Sequence, residues 1–233
     1  MSFTRFLYEK INWNDKLIGI KGARGVGKTT LLLQHIKRNF GQTDRALYVS
    51  LDNLWFSTHS LDDLVEYHYT HGGTHLFLDE VHKYPRWQTM LKNVNDDYPD
   101  LHVAYTGSSM LEIDVQQGDL SRRQMVYRLA GLSFREFLEF ECEINIPAYS
   151  LEELLHNHVS VASTVTEQVK ILPLFEKYLR TGYYPFYKDT FEGYDFRLQE
   201  VVRQVIESDL PAVEDVQYIT TQKVKKLLMI LAE

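Results

Sequence analysis

A glycine-rich segment near the amino terminus has the residue types and spacing needed to hold a chain of phosphates. "GARGVGKT" (22–29) matches the pattern G-x-x-x-x-G-K-[ST] at all four constrained positions. Glycines let the backbone bend around an anion so that successive N–H groups point inward. Lys28 can reach the β- and γ-phosphates, and the Thr29 hydroxyl can bind Mg²⁺. The predicted nucleotide-binding set is Gly22, Gly25, Val26, Gly27, Lys28, Thr29 and Thr30.

Two adjacent carboxylates follow an apolar run in "LFLDE" (76–80). The three apolar residues predict a buried strand with Asp79 at its end, where a carboxylate can hold Mg²⁺ through water. Glu80 is well placed to polarise an attacking water. A kinase activates a substrate hydroxyl and needs no second carboxylate here, so hydrolysis is favoured over phosphoryl transfer. The alternative without chemistry is a strand end with two solvated acids. We predict Thr29 and Asp79 as metal ligands and Lys28 and Glu80 as catalytic residues.

A third polar stretch, "YTGSS" (105–109), ends the next apolar run. A polar residue at this place can sit beside the γ-phosphate and help to position the water. Thr106 is the first candidate for this catalytic role and Ser108 the second. The alternative is a loop that merely turns on Gly107, because Thr and Ser are ordinary turn residues.

The elements around these residues alternate between short apolar runs and helical patterns, which predicts an α/β fold with a parallel sheet. A helical appendage follows, in which Ser133 and Glu136 have the spacing of a capping box. The predicted strands are 16–22, 45–52, 74–80, 101–108 and 125–132. The predicted helices are 29–40, 60–70 (with Ser60 as N-cap) and 87–94, one beginning at 133, and then 150–158, 164–180, 194–209 and 220–232 (with Thr220 or Thr221 as N-cap).

Composition restricts the class of protein. The chain has 44% hydrophobic and 24% charged residues, as in ordinary globular proteins. Its net charge of −7 argues against a broad nucleic-acid-binding face. The single cysteine fits a reducing compartment, and neither an apolar leader nor a membrane-spanning run is present in the sequence. We therefore predict a cytoplasmic protein without membrane contact.

Four stretches in this order, "GARGVGKTTLL", "LFLDEVHKYPRW", "AYTGSS" and "LSRRQMVYRLAGLSFREFL", resemble a family of prokaryotic AAA+-like P-loop ATPases. The resemblance is close over residues 1 to about 142. "YLRTGYYP" (178–185) looks like a degenerate form of the family's L-x-x-GGYP stretch, with Tyr183 in place of the second glycine. The family usually has Gly-Arg where this chain has Arg122-Arg123, so Arg123 matches the family's arginine and Arg122 replaces its glycine.

The resemblance implies an additional-strand P-loop fold, in which the "VAYTGS" strand separates the "LFLDE" strand from the P-loop strand. It implies a P-loop ATPase domain over 1–132, a helical, lid-like region over 133–218, and the start of a winged-helix domain over 219–233. In the family a nuclease-like domain of unknown function follows. The resemblance also makes Arg123 the candidate for an arginine that acts on a neighbouring subunit's nucleotide. The alternative is a structural cation beside Asp114 and Asp119.

Two function classes remain open. The first is a Mg²⁺-dependent ATPase whose turnover acts on a partner or on DNA, and the second is a nucleotide-gated switch with very slow turnover. ATP and Mg²⁺ are the predicted ligands, and a homo-oligomer and DNA contact through a following segment are the partner hypotheses. The Tyr-rich "TGYYPFY" (181–187) is predicted as a packing corner, with a partner surface as the alternative.

Overall fold

The computed structural model describes residues 3–41, 43–108, 120, 122–189, 192–213 and 218–232 of the chain. Within these ranges five parallel strands form one sheet in the order β2-β3-β4-β1-β5. They are β1 (Leu17–Gly22), β2 (Ala46–Ser50), β3 (His75–Asp79), β4 (His102–Ser108) and β5 (Met125–Arg128). Because β4 lies between β3 and β1, the predicted additional-strand order is confirmed.

Helices cover both faces of this sheet, and the strands alternate their side chains between them. The helices of this part are α1 (Lys28–Asn39), α2 (Leu61–Thr70) and α3 (Trp87–Asp97). Along β3, Leu76 and Leu78 enter the core on the side of α2 and α3, whereas Phe77 points to the side of α1. These three residues are almost entirely buried, which explains why β3 is a continuous apolar run.

The carboxyl-terminal part is helical, as predicted, and has a small core of its own. Its first helix begins with the predicted capping box, in which the side chains of Ser133 and Glu136 each accept the other residue's backbone N–H. Phe137 and Tyr187 are buried in the core of this part. The helices are α4 (Phe134–Cys142), α5 (Leu151–Gln168), α6 (Ile171–Lys177), α7 (Tyr194–Gln204), α8 (Leu210–Val213) and α9 (Tyr218–Ala232). Two π-helical segments, Tyr178–Gly182 and Val205–Asp209, extend α6 and α7.

Three predicted boundaries in this part are wrong. α5 is interrupted at Asn157, whose backbone is not helical, one residue before the predicted end at 158, but the helix resumes at once and not at residue 164 as predicted. A further break lies at Val169 and Lys170, both of which have extended backbone, so 164–180 is not one helix. α9 already includes Tyr218, so neither Thr220 nor Thr221 is its N-cap. Ser60, by contrast, caps α2 as predicted by accepting the N–H of Asp62.

Candidate functional site

The glycine-rich segment forms the connection between β1 and α1, at the carboxyl edge of the sheet. Gly25 and Gly27 both have left-handed backbone, with φ of 84° and 96°, which residues with a side chain rarely adopt. Lys28 is the first residue of α1, so the loop leads directly into the amino-terminal end of a twelve-residue helix. The helix dipole and the unpaired N–H groups of the first turn favour an anion at this place.

Lys28 lies buried beneath the loop and bonds its backbone. Its Nζ donates to the carbonyls of Gly22 at 3.0 Å and Ala23 at 3.1 Å. Burial lowers the pKa of Lys28 below its usual value, although the carboxylates of Glu80 and Asp79 oppose that shift. A phosphate chain in the loop would provide the anionic partner that favours the charged ammonium.

Asp79 ends β3 and lies at the centre of a hydrogen-bond network. Its Oδ2 accepts from the Thr29 hydroxyl at 2.6 Å and from the Tyr48 hydroxyl at 2.9 Å, and its Oδ1 accepts from the Thr106 hydroxyl. The Asp79 carboxylate and the Thr29 hydroxyl are hard oxygen donors of the kind that Mg²⁺ prefers. Because they are in hydrogen-bond contact, both lie close enough to act on one metal ion.

Glu80 follows Asp79 with a left-handed backbone, at φ 55°. Its N–H donates to the Thr106 hydroxyl at 3.0 Å, so Thr106 bridges the backbone of Glu80 and the side chain of Asp79. The Glu80 side chain lines the same pocket as the phosphate loop, and its Oε2 lies 3.3 Å from His82 Nε2. Thr106 thus fixes the two acidic residues relative to each other.

A pocket of about 310 Å³ opens over the loop, close to the lower limit for small-molecule sites. Its far wall comes from the helical part: a Cβ added at Gly25 would lie 2.8 Å from the ring of Phe186, and one at Gly27 would lie 4.0 Å from Pro185. The Tyr-rich stretch is therefore a packing corner, as predicted, and the surface on which it packs is the phosphate loop. Phe3 and Phe140, whose ring centroids are 5.0 Å apart, also line the pocket.

A buried arginine supports this arrangement from the amino terminus. Arg5 pairs with Glu136 at 2.9 Å and donates to the carbonyls of Val26 at 2.7 Å, Ala130 at 2.8 Å and Gly131 at 2.9 Å. Burial alone would raise the pKa of Glu136, but the Arg5 guanidinium and two backbone N–H groups hold it below its usual value. One side chain thus connects the phosphate loop to the first helix of the helical part.

The last two predicted catalytic residues lie in different places. Ser108 is buried and pairs with Gly22 in the sheet, next to the start of the phosphate loop. Arg123 lies just before β5, whose first residue pairs with Ile18 near the amino-terminal end of β1. Arg123 is therefore at the amino edge of the sheet, opposite to the carboxyl edge that carries the phosphate loop. Its guanidinium binds Asp96 of the same chain, with Nε 2.9 Å from Oδ1. The predicted alternative partners, Asp114 and Asp119, lie outside the described residues.

Sequence reasoning missed several residues that the structure places around the site. Tyr48 belongs to an edge strand with no motif, and Arg5 precedes the first strand, so neither has a local signal. His82 lies 3.3 Å from Glu80 and 3.7 Å from Asp209, and neither His82 nor Asp209 belongs to a recognisable motif. Phe186 belongs to "TGYYPFY" (181–187), which is predicted to pack. The many aromatic residues of this stretch are the signal that points to Phe186 as a packing residue.

The chain matches the AAA domain family over residues 14–138, which is just over half of its length. It therefore belongs to that family, and its fold is the α/β fold of a P-loop NTPase followed by helices. Membership in the AAA family supports a nucleotide-binding, ATPase-like function.

Three proteins are similar to the chain. It is 33% identical to an uncharacterized protein of Methanocaldococcus jannaschii over 94% of this chain and 49% of that protein, so it spans about half the length of this relative. AMPPCP-bound DnaA from Aquifex aeolicus is similar with a TM-score of 0.41 and 17% identity, over 85% of this chain and 64% of that one. PCH-2 from C. elegans is similar with a TM-score of 0.34 and 21% identity, over 64% and 42% of the two chains. Separately, no helix in the described part of the chain is long and apolar enough to cross a membrane.

Proposed function

We propose that this chain binds ATP with Mg²⁺, hydrolyses it, and couples the nucleotide state to a conformational change that acts on a partner or on DNA. The observation that carries the proposal is the contact of 2.6 Å between the Thr29 hydroxyl and Asp79, beside a Glu80 that lines the same pocket as the phosphate loop. Phosphate binding alone requires only the loop. Hydrolysis also needs a carboxylate beside the metal, which Asp79 would supply next to Thr29, and a base that faces the pocket, which Glu80 would supply.

Each residue has a distinct role in this proposal. The loop N–H groups from Gly25 to Thr30 hold the phosphates, and Lys28 leaves its backbone acceptors to bind the β- and γ-phosphates. Glu80 accepts a proton from the attacking water. Thr106 holds Asp79 and Glu80 in register through its two hydrogen bonds, and Ser108 remains the second candidate for contact with the water.

Thr29 and Asp79 would hold the Mg²⁺, since they offer oxygen donors already in contact with each other. The ion would supply neutralisation of phosphate charge when it is bound with ATP. Within the chain, Tyr48 donates to the same Asp79 oxygen as Thr29 and so orients the carboxylate.

A slow, nucleotide-gated switch is the second candidate, and the contact of Phe186 with Gly25 favours it as well as coupled hydrolysis. A nucleotide in the pocket would touch both the phosphate loop and the helical region, so it can bias their relative position. The lid-like role of residues 133–218 rests on this contact. The two candidates differ in turnover, since the switch releases phosphate only to reset itself.

Assembly and further partners are proposals of the same kind. Arg123 would act on a neighbouring subunit's nucleotide in a homo-oligomer, which its position at the edge of the sheet opposite to its own phosphate loop supports. Residues 219–233 remain predicted as the start of a winged-helix domain, with DNA contact through a following segment. The exposed apolar residues of α9, such as Leu227 and Ile230, support a further element packed there.

Two variants separate binding from hydrolysis. Lys28→Ala removes a positive charge from the β- and γ-phosphates and should abolish ATP binding and turnover together. Glu80→Gln keeps the shape of the side chain and loses the base, so it should bind ATP with wild-type affinity and hydrolyse it about 100-fold more slowly or worse. Binding is measured with a fluorescent ATP analogue and turnover by phosphate release. A Glu80→Gln variant that hydrolyses ATP at the wild-type rate would show that the assigned base is wrong.

A further inference from the structure

A buried aspartate of the helical region reaches the elements that carry the nucleotide site. Asp209 ends the π-helical segment Val205–Asp209, and its side chain is 1% exposed. Its Oδ1 lies 3.5 Å from an Arg24 nitrogen in the phosphate loop, 3.5 Å from Lys83 Nζ and 3.7 Å from His82 Nε2. A buried carboxylate beside two cations and an imidazole joins the helical region to the elements of the nucleotide site.

His82 lies between this aspartate and the proposed catalytic base. Its side chain is 2% exposed, and its Nε2 is 3.3 Å from Glu80 Oε2 on one side and 3.7 Å from Asp209 Oδ1 on the other. Within the described part of the chain, neither ring nitrogen makes a well-aligned hydrogen bond. The Nε2 edge of the imidazole therefore faces two carboxylates, which hold the ring between them.

We propose that His82 is a positioning residue for Glu80 and that Asp209 anchors His82, so that the helical region determines how firmly the hydrolytic carboxylate is held toward the phosphate pocket. This inference rests on the proposed function, since it assigns a role in the reaction that Glu80 performs.

The charges around Asp209 explain why a movement of the helical region would be transmitted. Burial alone would raise the pKa of Asp209, but His82, Lys83 and Arg24 hold it below its usual value, so the carboxylate is charged and draws all three toward itself. Ser208 adds a contact by accepting from Lys83 Nζ at 2.8 Å. If Asp209 moves away, the imidazole is held from one side only and can turn, so Glu80 Oε2 no longer faces a donor in a fixed position. Glu80 then samples several rotamers, and a misplacement of about 1 Å costs a reaction about 100-fold.

The test separates the rate of hydrolysis from the affinity for ATP. His82→Leu should lower kcat by about 10- to 100-fold and leave the Kd of a non-hydrolysable ATP analogue within about twofold of wild type. His82→Gln supplies an amide N–H of similar reach and should restore most of the rate. His68→Leu is the matched control, because His68, in α2, is as buried as His82 but bonds the carbonyl of His75 instead of the site.

Asp209→Asn tests the anchor. It should lower kcat by about 3- to 10-fold on its own and cause no further loss in the His82→Leu background, since both changes remove one connection. Losses that multiply in the double variant, or a parallel loss of kcat and ATP affinity, would show that the two residues have only structural roles. A His82→Leu enzyme that works at the wild-type rate while Glu80→Gln is stalled overturns this inference alone. If Glu80→Gln itself works at the wild-type rate, the proposed base and this inference both fall.

Discussion

Removal of the Arg5 guanidinium should cost more stability than any exposed ion pair of the chain can supply. The side chains of Arg5 and Glu136 are 8% and 7% exposed, and Arg5 also serves three backbone carbonyls. Arg5→Met keeps much of the aliphatic stem and removes the charge, so Glu136 stays buried without its cation. Breaking a buried pair in this way costs about 3–5 kcal/mol. For a chain of this size that corresponds to a decrease in Tm of roughly 6–20 °C, measured by thermal unfolding.

Two comparisons isolate the buried charge as the cause. Adding Glu136→Gln to Arg5→Met should recover about 1–3 kcal/mol, because the uncompensated carboxylate is gone while the capping amide remains. Arg180→Met, which breaks an exposed pair with Glu176, should change stability by less than about 0.5 kcal/mol. A loss of similar size in Arg180→Met, or no recovery in the double variant, would refute the reasoning.

The pH dependence of the Arg5→Met effect has a definite sign. The pKa of Glu136 is depressed in the folded protein, so its ionic contribution is present above the unfolded pKa, near 4.5, and is lost as the pH falls through the folded pKa. In Arg5→Met burial should raise the pKa of Glu136 instead, so the difference in stability between wild type and Arg5→Met should be full at pH 7, begin to narrow above pH 4.5 as the variant's Glu136 takes up a proton, and narrow further as the pH falls through the depressed wild-type pKa. The part that remains at low pH belongs to the three backbone carbonyls. Urea unfolding at a series of pH values measures this difference.

Three further predictions concern the nucleotide. Asp79→Asn should raise the Mg²⁺ concentration needed for ATP turnover by about tenfold or more and weaken metal-free nucleotide binding far less; equal losses with and without Mg²⁺ would count against the metal assignment. Gly25→Ala should weaken binding of an ATP analogue by at least about tenfold, because a Cβ there meets an aromatic ring at 2.8 Å, whereas Gly41→Ala, at φ 58° in open space, should cost only stability. Mixing inactive Arg123→Ala with inactive Glu80→Gln should restore part of the turnover if the arginine acts across subunits, and mixtures shown to co-assemble without any recovery would contradict that role.

The features that could be predicted from the sequence are those that local backbone chemistry dictates. The phosphate loop needs glycines at positions with left-handed backbone and a lysine and a threonine at the start of a helix, so the pattern itself specifies the geometry. β3 is a continuous apolar run because both of its faces are covered. The first carboxylate after this run, Asp79, therefore marks the point where the strand reaches the carboxyl edge of the sheet. The strand order came from the family resemblance, since a parallel sheet leaves no trace of its order in the spacing of its strands.

What could not be predicted depends on contacts between residues that are distant in the chain. Tyr48 bonds a residue 31 positions away and Arg5 one 131 positions away, and no periodicity encodes such pairs. The boundaries within residues 150–180 were wrong for a different reason. α5 is largely exposed, so its apolar pattern is weak, and it ends in extended backbone at Val169 and Lys170. Pro173, in the first turn of α6, is the local signal that a new helix begins there, and the predicted helix 164–180 ran through it.

The number of phosphates released per chain is the measurement that tests the central claim most directly. Wild-type protein with excess ATP and Mg²⁺ should release many phosphates per chain at a constant rate, and Glu80→Gln should bind the same ATP and release about 100-fold less in the same time. Release by the wild type that stops after a single phosphate per chain would contradict a hydrolase and leave the nucleotide-gated switch.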